Sequence, residues 1–226
     1  MPDKKSNLIM HALIKFGLGF IMLGLILFLC AGSIHYWNAW LYLIALSIPI
    51  FFFGVYLYIN DQELLKKRLH SKEKEKEQGA YVYITSISFL AAFALCGMDY
   101  RFGWSHIQPL VVMIALVIML AGFGLFVITM LHNRFASRVI EIQSGQKVID
   151  SGVYAVIRHP MYTAAIVMFF SSPFILGSYY AMIPMLFYLF GIILRIKNEE
   201  KVLCNGLQGY TNYMEKVKYR IIPFIW

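Results

Sequence analysis

Charge is scarce in this chain. Lys, Arg, Asp and Glu make up 14% of its 226 residues, against about 25% in soluble domains, while 60% of the residues are hydrophobic. A soluble globule of this length could not hide so much apolar surface, so the sequence reads as an all-α, polytopic integral membrane protein. Cysteine is scarcer still. Cys30, Cys96 and Cys204 form no CxxC and no Cys/His pair, which excludes a disulfide framework and leaves no metal site to expect. There is no internal repeat, no Walker loop, no GxSxG and no GxGxxG. Gly17, Gly19 and Gly24 are spaced wrongly for a dinucleotide turn and lie inside an apolar run, where they are expected to serve packing. Ionisable residues are missing from the depths of the first four apolar runs, which argues against an ion-coupled carrier. Asp61 and Glu63 fall just past the second run and are expected to be solvated. No basic stripe with interleaved aromatics occurs in a soluble region, so no nucleic-acid partner is expected.

What is present is apolar sequence in blocks. About six transmembrane helices are predicted, at 16–33, 37–59, 80–97, 107–131, 160–176 and 180–196. The first run, "FGLGFIMLGLILFLCAG", is longer than a signal-peptide core and is read as a span. The last two are short, and Ser171, Ser172, Pro173, Gly177 and Ser178 lie in or between them, so 160–196 is expected to form a helical hairpin. With six spans, all but Arg101 of the 20 Lys and Arg fall on one side. That side is assigned to the cytoplasm, with both termini on it. The net charge of +8 belongs to that face and suits anionic membrane lipids. Residues 1–132 are thus read as four N-terminal spans, and 133–226 as the region carrying the chemistry.

Two polar stretches bear that chemistry. The first, "NRFASRVIEIQSGQKVIDSGVYAVIRHPMY" (133–162), is too long for a simple connection. It alternates apolar and polar residues and is expected to be ordered, turning at Gly145 and Gly152. Pro160 suits the first position of a helix, and a residue before proline avoids the α region. His159 is therefore expected to be extended, at the cap. The free N–H groups of that first turn, with Arg158 and Lys147, would hold an anion. The second stretch, "RIKNEEKVL" (195–203), puts Glu199 and Glu200 one helical turn beyond Arg195. If the hairpin closes antiparallel, Arg158, His159 and Tyr162 meet Arg195, Glu199 and Glu200. Headgroup anchoring and charge balance are the plainer readings of these residues. Cations beside carboxylates also suit the zwitterionic end of an amino acid. Tyr154, Tyr162, Tyr210 and Tyr213 offer faces for a second cation or a base. S-adenosylmethionine has all of these parts.

At these residues the chain resembles the isoprenylcysteine carboxyl methyltransferase family of integral-membrane methyltransferases, and its bacterial branch in particular. "GVYAVIRHPMY" is similar to the family's G-x-Y-x-x-x-R-H-P-x-Y, and "RIKNEEKVL" to its R-x-x-x-E-E-x-x-L. "DYRFGWSHIQP", "NRFASRVIEIQSGQKVIDSG" and "GYTNYMEKVKYRIIPFIW" resemble stretches of the bacterial branch. The resemblance implies S-adenosylmethionine as cofactor, bound in the C-terminal half at the cytoplasmic face of a bacterial inner membrane. It implies that His159, Tyr162 and Glu199 or Glu200 hold the amino acid end, that Gln146, Lys147 and Val148 line the same pocket with Tyr154 and Arg158, and that Arg195 lies near the acceptor. Arg195 and Glu200 are the implied catalytic pair.

The chain departs from the family in having Lys147 where many members have histidine, Met161 and Thr163 around the tyrosine, and "LQGYTNY" in place of F-G-x-x-Y. The expected acceptor is lipid-like or prenyl-like: a carboxylate, or an amine or phenol, which would need a general base. The rival reading is an NADPH-dependent membrane reductase of the sterol reductase type, which resembles the chain at "RHP", "EE" and "YRIIPFIW". A non-enzymatic membrane protein is the other alternative.

Overall fold

Eight α-helices and one short 3₁₀ turn make up the regular structure of the computed structural model, which describes residues 3–69, 76–135 and 139–226. Of the basic residues that set the expected topology, Lys72, Lys74 and Arg138 lie outside the described residues, and the side chains of Lys4, Lys5 and Lys76 are not described. Helices α1 (Asp3–Ala31), α2 (Trp37–Asn60), α4 (Lys76–Phe102) and α5 (Pro109–His132) contain four segments long and apolar enough to cross a membrane, of 24, 24, 22 and 24 residues. At about 1.5 Å per residue each spans a bilayer core of about 30 Å. Large apolar side chains such as Leu18, Ile21, Leu110 and Val117 face outward from them, as lipid-facing surface does. The protein is an all-helical, polytopic integral membrane protein.

The fifth and sixth segments differ from the other four. Helix α6 (Pro160–Ile175) has only 16 residues, a reach of about 24 Å. Helix α7 (Met182–Gly206) runs 10 residues past the expected end at 196, because "KNEEKVLCNG" continues the helical pattern beyond the apolar part. Short α3 (Gln62–Leu69) and α8 (Tyr210–Lys216) flank the basic end. Asp61 is not simply solvated. Its carboxylate accepts from the backbone N–H of Leu64 at 3.1 Å, capping α3, and lies 3.4 Å from Arg134.

Helix α6 packs chiefly along α5, and both α7 and α1 pack along α4. Two glycines allow the close approaches. A β-carbon on Gly97 would lie 2.7 Å from both Cys30 Cβ and the Leu27 carbonyl oxygen, and one on Gly122 would lie 2.9 Å from Met168 Cγ. Gly17 and Gly19, expected to serve packing, have nothing within 4 Å. No neighbouring helix comes close to α1 at these two positions. Gly97→Val is therefore expected to destabilise the bundle by about 1–3 kcal/mol, while Gly17→Val leaves it unchanged. Thermal unfolding of both variants in detergent micelles checks this.

The hairpin turn is tied to the rest of the bundle at the end away from α3. The last carbonyls of α6, orphaned as at any helix end, accept from the Tyr36 hydroxyl and from Asn38 Nδ2, the latter at 2.7 Å. Ser178 Oγ donates to the buried carboxylate of Asp99 at 2.5 Å, and Ser105 donates to it through its backbone N–H and hydroxyl. These bonds fix where α6 and α7 start and end, and so where their opposite ends meet.

Candidate functional site

The site lies where α6 begins and the membrane part of α7 ends. Pro160 is the first residue of α6, and His159 is its cap with φ −124° and ψ 59°, outside the α region. Gly145 (φ +71°) and Gly152 (φ +59°) make the two expected turns of the preceding loop. Gln146 closes the first by accepting from the Gln143 N–H at 2.9 Å. The 3₁₀ turn Gly152–Ala155 then places Tyr154 inside.

On α7, residues four apart share a face. Arg195, Glu199 and Leu203 form one stripe, and Leu207 follows it past the helix end. Glu200, turned about 100° from Glu199, faces elsewhere. The two glutamates therefore have different partners. The Tyr162 hydroxyl donates to Glu199 Oε2 at 2.6 Å and accepts from Arg195 Nε at 3.0 Å. Glu200 Oε1 accepts from Arg158 Nε at 2.8 Å and faces His159 Nε2 at 3.2 Å, and Oε2 accepts from Arg220 Nε at 2.8 Å. Opposite an acceptor-only carboxylate, Nε2 is the protonated ring nitrogen. Arg158, His159 and Glu200 are all buried.

The segment after α8 completes this knot. Arg158 Nη1 donates to the carbonyls of Val217 and Lys218, and the backbone N–H groups of Arg158 and His159 donate to those of Tyr219 and Arg220. Arg220 in turn stacks over Trp226 at 5.0 Å. Burial alone would raise the Glu200 carboxyl. The hydrogen bonds from His159, Arg220 and Arg158 outweigh it and hold the group at about 2.

A polar cleft of about 860 Å³, counting its open mouth, lies beside this knot. Its lining includes every expected binding residue except one: Gln146, Lys147, Val148, Tyr154, Arg158, His159, Tyr162 and Glu199, together with Arg195. The exception is Glu200, which sits behind the wall and holds Arg158 and His159 in place. Arg158 lines the cleft, but its Nε and Nη1 are committed to Glu200 and backbone carbonyls, so it differs from the anion receptor expected from sequence. Residues missed from the sequence include Asn133, whose Nδ2 donates to the Tyr154 hydroxyl at 3.1 Å, as well as Leu203 and Leu207. The four-residue step from Glu199 was the signal for the two leucines. Burial pushes the Tyr154 hydroxyl up to about 12, so it stays protonated.

An apolar chamber of about 1400 Å³, counting its open side, adjoins the cleft on the membrane side. Its walls come from α2 (Ile50, Phe53), α5 (Phe123, Phe126), α6 (Ala165, Phe169) and α7 (Tyr188, Ile192), with Arg68 of α3 at one edge. Cleft and chamber share three residues: Met161, Tyr162 and Arg195.

Fold and site together define a helical integral membrane protein in which a polar cleft at the end of a two-helix hairpin meets an apolar chamber among the spans. Residues 112–205, from α5 through the loop and α6 to Asn205 of α7, match the isoprenylcysteine carboxyl methyltransferase family. Over this stretch the chain is similar to that family of methyltransferases. Its fold is also similar to that of a solved eukaryotic intramembrane Ras methyltransferase, an isoprenylcysteine carboxyl methyltransferase. The TM-score is 0.52 over 90% of this chain and 74% of that one, at 18% identity. No curated protein sequence matches the chain.

Proposed function

We propose that the protein transfers a methyl group from S-adenosylmethionine to a carboxylate on a lipid-like amphiphile, at the cytoplasmic face of its membrane. The observation that carries this reading is the junction at Met161, Tyr162 and Arg195, where a polar cleft and an apolar chamber meet. A water-soluble donor suits the first and a lipid tail suits the second. Residues 133–226 supply the cleft, and spans from both halves wall the chamber. The name of the matched family and the solved relative's description as a Ras methyltransferase support an acceptor with a prenyl-type chain.

The donor set fits the cofactor. Glu199 faces the cleft with a carboxylate matched to an ammonium, and tyrosine faces stand nearby for a sulfonium or a base. When bound, S-adenosylmethionine supplies a methyl group on a sulfonium, which is already a good leaving group. The chain's own work is then positioning and exclusion of water. Arg195, fixed through its Nε by Tyr162, stands where an acceptor carboxylate would emerge from the chamber. A carboxylate is ionised at neutral pH and needs no general base. The apolar chamber holds the tail and keeps water from the junction. The 19 basic residues expected on one side support its assignment to the cytoplasm.

Isothermal titration of the purified protein in detergent tests the cofactor. Wild type is expected to bind S-adenosylmethionine, and Glu199→Ala to bind it about 10- to 100-fold more weakly, as for loss of a hydrogen bond to a charged group. Binding of NADPH alone would replace this reading with a membrane reductase.

A further inference from the structure

Four tyrosines line the polar cleft. Three of their hydroxyls have partners: Tyr154 with Asn133, Tyr162 with Glu199 and Arg195, and Tyr213 with the carbonyl of Tyr154 at 2.7 Å. The hydroxyl of Tyr210 is buried and has no hydrogen-bond partner among the described residues. The left-handed turn at Gly209 (φ +85°) reverses the chain after α7 and sets Tyr210 at the start of α8, 5% exposed, with its ring 5.7 Å from that of Tyr213. A buried hydroxyl without a partner costs free energy and is rare in folded proteins, so each one calls for an explanation. The other such group, Asn198 Nδ2, does not line the cleft, whereas Tyr210 does.

We infer that the Tyr210 hydroxyl is a specificity-determining contact for the methyl donor and donates a hydrogen bond to the carboxylate of the donor's amino acid end. This rests on the reading that the cleft takes S-adenosylmethionine. The electrostatic neighbours of Tyr210 are Glu199, Glu200 and Arg158, the charged end of the cleft. Glu199 is matched to the ammonium, and the carboxylate of an α-amino acid is attached to the same carbon as that ammonium. It must therefore come to rest close to Glu199. A third carboxylate there would be repelled, and a lysine would compete for Glu199. A neutral hydroxyl donor avoids both conflicts. Burial and the two glutamates keep that hydroxyl protonated at neutral pH.

Tyr210→Phe tests this with two ligands and one melting curve. The ligands are S-adenosylmethionine and 5′-methylthioadenosine, which keeps the nucleoside and lacks the amino acid end. The variant is expected to bind S-adenosylmethionine about 10- to 100-fold more weakly than wild type, with unchanged affinity for methylthioadenosine. Without ligand it is expected to melt no lower than wild type, because no protein hydrogen bond is lost. Equal affinity of both proteins for S-adenosylmethionine would overturn the inference, as would an equal loss for methylthioadenosine, which would place the hydroxyl on the nucleoside. A lower melting temperature of the unliganded variant would show a structural role and overturn it as well. Wild type that binds neither ligand would overturn the cofactor reading itself, an outcome read without the variant.

Discussion

Glu200→Gln is expected to destabilise the protein by about 3–5 kcal/mol, the range for breaking a buried ion pair on one side. Glu200 is 6% exposed at its side chain and Arg158 4%, so the arginine cannot turn to water for compensation. The carboxylate meets three donors at once: Arg158, His159 and Arg220. An amide offers one acceptor oxygen and turns an N–H₂ group against one of them. Because Arg158 also holds the Val217 and Lys218 carbonyls, its release loosens the segment that follows α8. The loss reaches the mouth of the cleft without Glu200 touching what binds there. Thermal unfolding of the variant in detergent micelles measures it. Melting at the wild-type temperature would show the knot to be dispensable.

The same carboxylate sets a pH dependence. Its folded value, about 2, lies below its ordinary 4.5. The unfolded chain therefore binds the proton first as pH falls. The contribution of Glu200 is fully present above about 4.5, declines between there and about 2, and is gone below it. Over that window wild type should lose about 3 kcal/mol from this group, and Glu200→Gln should lose none of that share. A wild-type stability curve that stays flat from neutral pH down to 2 would contradict this.

Arg195→Lys is expected to lower kcat/KM for methyl transfer by about 100-fold, the scale on which small misplacements at a reacting centre act. The substitution keeps the charge. It removes the planar guanidinium whose Nε holds the Tyr162 hydroxyl in a fixed direction. Tyr162 then loses one of two partners, and the link from Arg195 through Tyr162 to Glu199 is cut at its first bond. Affinity for the donor should change little, because Glu199 stays in the cleft. Initial rates with labelled S-adenosylmethionine and a long-chain carboxylate acceptor in lipid nanodiscs, beside a donor titration, separate the two effects. Rate and donor affinity falling together would place Arg195 in the donor site instead.

Much of the site was legible in the sequence because the relevant information is local. The Pro160 start, the His159 cap and the turns at Gly145 and Gly152 follow from backbone chemistry at single residues. The hairpin reading brought Arg158, His159 and Tyr162 to Arg195, Glu199 and Glu200, and the hydrogen bonds join these residues. What the spacing did not separate was the work of adjacent residues. "EE" looks like one feature on paper, yet 100° of helical rotation sends Glu199 to the cleft and Glu200 to the knot. Arg158 was read as an anion receptor because nothing local shows that Glu200 and two distant carbonyls claim it.

The sequence by itself determined the membrane-embedded, all-helical class, the four long spans and the two polar clusters. It did so because apolar length, proline, glycine and the helical repeat act over a few residues at a time. Only the tertiary structure decided which glycines bring helices together, since all four lie in apolar runs and Gly97 and Gly122 differ from Gly17 and Gly19 in what faces them. It alone built the chamber, whose walls come from helices more than a hundred residues apart in sequence. It also brought Val217–Arg220 against Arg158 and His159. Such meetings depend on how whole helices pack, and no short window of sequence contains that.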